Sequence, residues 1–262
     1  MAISPKPQRS AREQFGATAA NYTVSAGHRG GESLSVVTEL IAKGGRRFDR
    51  AVDIATGPGF TAFAAAPHAG SVLATDPTPQ MLREVRKLRR ERGIANVGMA
   101  LVVAETLPFA DESLDLVTCR TAPHHFLDVP RWLGECRRVL KPDGVFVLAD
   151  TCAPEDPELA AWMNDMEVRR DPSHVRNYAP SEWVRLVREA GLDVTDEALC
   201  ILNQEMPDWA HRSNSTPAMT EELARDFRNA SPAAKEHFAI APRDDGTIGF
   251  RWFVAILRAE KP

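Results

Sequence analysis

A chain of 262 residues, 44% of them hydrophobic and 26% charged, has the composition of a globular protein long enough to bury a real core, so no disulfide scaffold is needed. Its 32 basic and 36 acidic residues leave a formal net charge of −4, which argues against nucleic acid as the main partner because no overall positive field gathers phosphates. The N-terminus has charge and proline but no apolar signal-like stretch, and nothing later approaches a membrane span; the expectation is a soluble, cytoplasmic protein without a membrane partner.

The first 30 residues, with Tyr22, Ser25, His28 and Gly30-Gly31, read as a short cap and not as a domain. From residue 50, short apolar runs alternate with amphipathic stretches, the mark of an α/β domain with a parallel sheet. Strands are expected at Ala51–Ala55, Ser71–Thr75, Val97–Val103, Leu114–Cys119 and Val145–Asp150. Helices are expected between them at Phe60–Ala66, Thr78–Arg92 and Val129–Leu140. Gly93 stops the second helix, and Lys141-Pro142-Asp143-Gly144 is a turn that launches the fifth strand. After Asp150 helix dominates: Pro157–Val168, then Ser181–Ala190 with Ser181 as N-cap. A strand-like run at Leu192–Asn203 follows, then a helix near Glu221–Asn229 and a last strand at Thr247–Ala259. Cys119, Cys136, Cys152 and Cys200 share no C-x-x-C spacing and sit mostly in apolar runs, so they are expected as reduced, buried thiols and not as a metal site.

The most informative stretch is Val52-Asp53-Ile54-Ala55-Thr56-Gly57-Pro58-Gly59-Phe60-Thr61-Ala62, a strand entering a glycine-rich turn and then a helix. Glycine lets the backbone approach a ligand, and the turn sets that ligand at the carboxyl edge of the sheet beside a helix N-terminus. Asp76 ends the next strand, 17 positions beyond Gly59, where a carboxylate can accept hydrogen bonds from ribose hydroxyls. A nucleoside-containing cofactor follows. Gly57 to Ala62 also fits the G-x-G-x-x-A fingerprint of the NAD(P) dinucleotides. Against that reading, Asp53 would repel a pyrophosphate, and no second mononucleotide half follows Asp150; an acid there can order a turn that receives the amino-acid part of S-adenosylmethionine.

At these residues the chain resembles the class I S-adenosylmethionine-dependent methyltransferases, in particular the small-molecule branch that includes the ubiquinone and menaquinone C-methyltransferases. The resemblance runs from about Phe15 to Leu192. It rests on the glycine turn, on Asp76-Pro77 with Met81, on Ala104-Glu105-Thr106-Leu107-Pro108-Phe109, on His124-His125-Phe126 and on Arg138-Val139-Leu140-Lys141-Pro142-Asp143-Gly144. It implies a Rossmann-like α/β fold: a seven-stranded, mostly parallel sheet with an antiparallel last strand, helices on both faces and a helical cap. One domain, 1–262, would then divide into an N-terminal lid (1–35), a cofactor-binding core (36–150), a helical cap carrying the sixth strand (151–240) and the last strand (241–262). It also implies that Asp53, Ala55, Gly57 and Gly59 surround the methionine portion of S-adenosylmethionine, that Asp76 binds the ribose, and that Pro77 and Met81 pack near the adenine. Ala104, Glu105, Arg120, Thr121 and, from the lid, Tyr22 are expected along the same cofactor. Two positions depart from the pattern. The first glycine of the turn is Ala55, and the acid that would hold the adenine amino group is Val103, a loss of one hydrogen bond worth about 0.5–1.5 kcal/mol.

Methyl transfer from a sulfonium is an in-line displacement, so placement of the acceptor supplies much of the catalysis, and a hydroxyl or acidic carbon also needs a base. Histidine suits that role. His124 and His125 follow the fourth strand; in extended chain only one of the two would face the cleft, and His125 is the candidate taken, with a loop-ordering role as its alternative. His174, in the polar run Arg170 to Arg176, is the second candidate, with loop anchoring as its alternative. The arginine-rich run Arg83 to Arg92 reads as a solvated helix face, and Trp162, Trp183, Trp209 and Trp252 as packing residues. The expected function is methyl transfer to oxygen or carbon of a small metabolite. Two other readings stay open: an NAD(P)-dependent oxidoreductase, and a binder or catalyst on this fold that does not methylate, for which Val103 is the motive.

Overall fold

The computed structural model describes residues 9–16 and 30–262. Its sheet is built from β1 (Phe48–Ile54), β2 (Ala69–Thr75), β3 (Val97–Ala100), β4 (Leu114–Arg120), β5 (Leu140–Cys152), β6 (Asp193–Met206), the two-residue β7 (Ala241–Pro242) and β8 (Ile248–Glu260). Their order is β3-β2-β1-β4-β5-β8-β6, with β7 paired to β8. The first five strands pair in parallel, and β8 enters antiparallel between β5 and β6. This is the expected sheet, with β7 added.

Strand period explains the two-sided core. Val52, Ile54, Val117, Cys119, Phe146 and Leu148 point to one face and meet Trp132, Leu133 and Trp183. Ala51, Leu116, Val145 and Val147, their neighbours in sequence, point to the other and meet Phe60, Phe63, Val37 and Ile41. Both faces are dry, so the strands read as continuous apolar runs. All four cysteines are free and buried. Among the described residues no helix is long and apolar enough to cross a membrane.

Some boundaries differ from expectation for visible reasons. β3 stops at Ala100 and not Val103: its register with β2 ends at Thr75 opposite Ala100, and Val103 turns back to bridge Thr106. β5 starts at Leu140, pairing Leu114 before a register shift, with Asp143 at φ +60 in the turn. Ser181 is not an N-cap: Pro180 takes the first helical position, where its missing N–H costs nothing, and the Ser181 hydroxyl donates to Glu155 at 2.6 Å. Helix Pro180–Glu189, expected in the cap, buries Trp183, Leu186 and Val187 against the sheet. The cap is a third cluster, in which Met163, Met166, Trp209, Leu223, Phe227 and Phe238 pack on Phe250 and Trp252. It stands on the overhang of the long β6–β8 ladder, which runs to Met206 opposite Ile248.

Candidate active site

β1 and β4 are neighbours, yet the chain leaves β1 toward β2 and β4 toward β5. A crevice therefore opens at their carboxyl ends. There Ala55, Gly57 and Gly59 have φ of +50°, +52° and +93°. A Cβ on Gly59 would come within 3.0 Å of the Phe63 ring, so that position requires glycine; on Gly57 it would meet nothing within 4 Å. Ala55 holds the left-handed region with its Cβ in place, at a cost of about 1–2 kcal/mol.

Two carboxylates organise this turn. Asp53 is buried under it, accepting the hydroxyl protons of Thr56 at 2.5 Å and Thr118 at 2.7 Å, and so joins β1, the turn and β4. Burial pushes its carboxyl up to about 6, against those hydrogen bonds and the charge of Arg120. The folded state thus binds a proton more readily than the unfolded chain, and the stability this confers is lost as pH rises through 6. The Tm of Asp53→Asn is expected to gain on the wild type by a few degrees between about pH 4 and pH 7; parallel melting curves would remove the buried charge as the cause. Asp76 accepts the Gly57 N–H at 3.0 Å and the Thr78 N–H at 2.8 Å, and burial raises its carboxyl too.

A cavity of about 510 Å³ occupies the crevice. Its walls include Ala55, Gly57, Asp76, Pro77, Met81, Ala104, Glu105, Arg120 and Thr121, all expected along the cofactor, together with His125 and His174. Asp53 and Gly59 stand behind the wall, and Tyr22, Ser25 and His28 lie outside the described residues. Arg120 donates to the Thr61 hydroxyl at 3.0 Å, and burial lowers its pKa to about 10 despite Asp53. Glu105 accepts the Leu127 N–H at 3.0 Å, while Val103 lies 56% exposed on the rim. Residues 9–16 close one side: Phe15 sets its ring edge-on to His125 at 4.9 Å, Gln14 donates to the Ser213 carbonyl at 2.8 Å, and the Arg9 N–H donates to the Pro172 carbonyl.

The histidines are arranged differently from an extended chain. Pro123–His125 is a 3₁₀ turn, so His124 and His125 both line the cavity, with ring centroids 4.2 Å apart. His124 Nδ1 lies 2.7 Å from the carboxylate of Asp150, which is fully buried, and Nε2 has no hydrogen bond among the described residues. Burial works against the imidazolium, but the charge and hydrogen bond of Asp150 outweigh it and raise the His124 pKa above its ordinary value. His125 donates from Nδ1 to the Ser173 carbonyl at 3.1 Å; burial and the neighbouring His124 hold its pKa down at about 3. His174 stacks on His124 at 5.2 Å, and burial drives its pKa well below the ordinary value. The His124–Asp150 pair was missed in the sequence. Its signal was an acid ending the buried apolar run of β5, next to β4 in the sheet.

The crevice has room for a nucleoside cofactor, since ligand sites of this kind span roughly 300–1,000 Å³. Asp76 stands in the cavity wall with its carboxylate, Pro77, Met81 and Val103 offer apolar surface, and the Gly57 Cβ position is open. Fold and site together define an enzyme of the nucleoside-cofactor α/β class. A family model described as a methyltransferase domain matches residues 52–148. The uncharacterized methyltransferase YcgJ of Bacillus subtilis is 36% identical over 197 residues, covering 75% of this chain and 78% of that protein. Its crystal structure superposes with a TM-score of 0.81 at 34% identity, over 87% of this chain and 97% of that one. A putative methyltransferase from Bacillus halodurans superposes at 0.83 with 31% identity, over 88% and 100%. The uncharacterized protein YafE of Escherichia coli is 35% identical over 184 residues, 70% of this chain and 88% of that protein. The chain belongs to the class I S-adenosylmethionine-dependent methyltransferases, and S-adenosylmethionine is its cofactor. The dinucleotide reading falls with that membership. At Val103, exposed enough to accept a carboxylate without burying it, Val103→Asp is expected to tighten S-adenosylmethionine about two- to tenfold by calorimetry; no change would mean that the adenine amino group is held elsewhere.

Proposed function

We propose that the enzyme methylates an oxygen or acidic carbon of a small metabolite, with His124 as the base and Asp150 as the residue that orients it. The His124–Asp150 pair in the cavity wall carries this reading. S-adenosylmethionine, when bound, supplies an electrophilic methyl group. Asp150 accepts the Nδ1 proton of His124, which fixes the tautomer and leaves the Nε2 lone pair to take a proton from the acceptor. Once Nε2 is protonated, the buried carboxylate stabilises the imidazolium. Asp76 holds the ribose, and Asp53 acts through Thr56 by keeping the turn in shape. His125 is assigned to ordering the loop that follows Asp171, through Ser173.

The small size of the acceptor is supported by the enclosure: residues 9–16 and the cap leave about 510 Å³ for cofactor and acceptor together. We also place the enzyme in the cytoplasm, where four free thiols stay reduced, and without a nucleic-acid partner, on its net charge of −4. The test is incubation with S-adenosylmethionine and a deproteinised metabolite extract. S-adenosylhomocysteine should accumulate in step with a product one methyl group heavier. Cofactor that binds yet yields no S-adenosylhomocysteine would overturn the reading in favour of a non-methylating catalyst on this fold.

A further inference from the structure

We propose that the acceptor is an uncharged molecule with a second polar group, a carbonyl, hydroxyl or carboxamide, which Asn177 and His174 recognise beside His124. This rests on reading the cavity as the acceptor site. Asn177 is 1% exposed and forms part of the cavity wall. Its backbone is fully engaged with Asn164, donating to Oδ1 at 2.7 Å and accepting from Nδ2 at 3.3 Å. Its own side-chain Nδ2 and Oδ1 have no hydrogen-bond partner among the described residues. His174, 2% exposed in the same wall, likewise has neither ring nitrogen bonded among the described residues. Each buried polar group left unpaired costs between about fivefold and a hundredfold in the folding equilibrium, and native proteins hold few of them. These four atoms, on two residues of one cavity wall and with almost no surface open to the cavity as it stands, are assigned to a ligand that draws the two side chains toward it.

The surrounding charges say what that ligand is not. Arg170 pairs with Glu167 at 2.9 Å, and Glu167 also accepts from the indoles of Trp252 at 2.7 Å and Trp209 at 3.3 Å. Arg212 is held by Asp208 and Gln204, and Asp171 by Ser173 and Ser213. His124 is matched by Asp150. An ionised group entering beside Asn177 and His174 would find Arg170, Arg212 and His124 already matched, and a buried unmatched ion is strongly disfavoured. A carboxamide and a neutral imidazole, in contrast, offer donors and acceptors without charge. Trp209 and Trp252 add aromatic surface suited to a planar body.

The test uses the protein saturated with S-adenosylhomocysteine and three probes of one scaffold: salicylamide, salicylate and phenol. Salicylamide should bind roughly tenfold or more tighter than either of the others by calorimetry. In Asn177→Leu and in His174→Phe that preference should shrink about tenfold, with phenol and S-adenosylhomocysteine binding unchanged. Because the Asn177 side chain has no partner to lose, the Tm of unliganded Asn177→Leu should hold or rise. Salicylate binding as tightly as salicylamide, a preference unchanged in both variants, no binding of salicylamide at millimolar concentration, or a clear drop in that Tm would each overturn the proposal. Whether bound salicylamide is methylated is a separate readout: its failure would count against His124 as the base and leave the binding preference standing.

Discussion

Asp150→Asn is expected to lower kcat by about 10²–10⁴ while leaving the affinity for S-adenosylmethionine close to that of the wild type. The acid lies behind His124 and does not line the cavity, so its removal leaves the cofactor contacts in place. An asparagine amide can donate to Nδ1, which moves the imidazole proton to Nε2 and removes the lone pair that takes the acceptor's proton. The pH profile gives a second check. With His124 as the proposed base its protonated form would be inactive, and because Asp150 raises its pKa the acid limb of wild-type kcat should lie above the ordinary histidine value of 6.5. In Asp150→Asn the residual limb should move to lower pH, because burial then acts without the opposing carboxylate. A kcat within about twofold of the wild type, with an unmoved acid limb, would exclude the pair from proton transfer.

The second large effect is expected at Asp76. Truncation to Ala removes the carboxylate proposed to hold the ribose and also frees the Gly57 and Thr78 N–H groups it holds. Hydrogen bonds to a charged group contribute about 1.5–3 kcal/mol each, so S-adenosylmethionine and S-adenosylhomocysteine should bind roughly 10- to 150-fold more weakly. Asp76→Asn should fall between the two, keeping an acceptor oxygen but not the charge. Calorimetry with both ligands is the measurement; an unchanged Kd in Asp76→Ala would mean that the ribose is held by other groups.

The glycine turn and the two acids beside it were legible because they are local. Asp53, the turn and Asp76 belong to one strand–turn–helix–strand unit, whose geometry follows from glycine at φ > 0 and from parallel pairing of β1 with β2. The helical cap was less so: helix Pro180–Glu189 has the same amphipathic pattern whether it covers a sheet or a cavity, and only the packing of Trp183 shows which. At the acceptor end, the sequence pointed to His125 and His174 on chemistry alone. It assumed extended chain at residues 124 and 125, where a 3₁₀ turn stands instead.

The α/β sheet and the glycine turn came from periodicity and from residues a few positions apart, while the antiparallel last strand and the cofactor came through the family resemblance that those residues carry. Only the tertiary structure pointed to His124, by bringing Asp150 to it from 26 residues away, and to Asn177, whose buried amide has no partner among the described residues. The physical reason is that a histidine's proton affinity and a buried amide's need for a ligand are set by neighbours that the fold supplies, and no spacing along the chain encodes them.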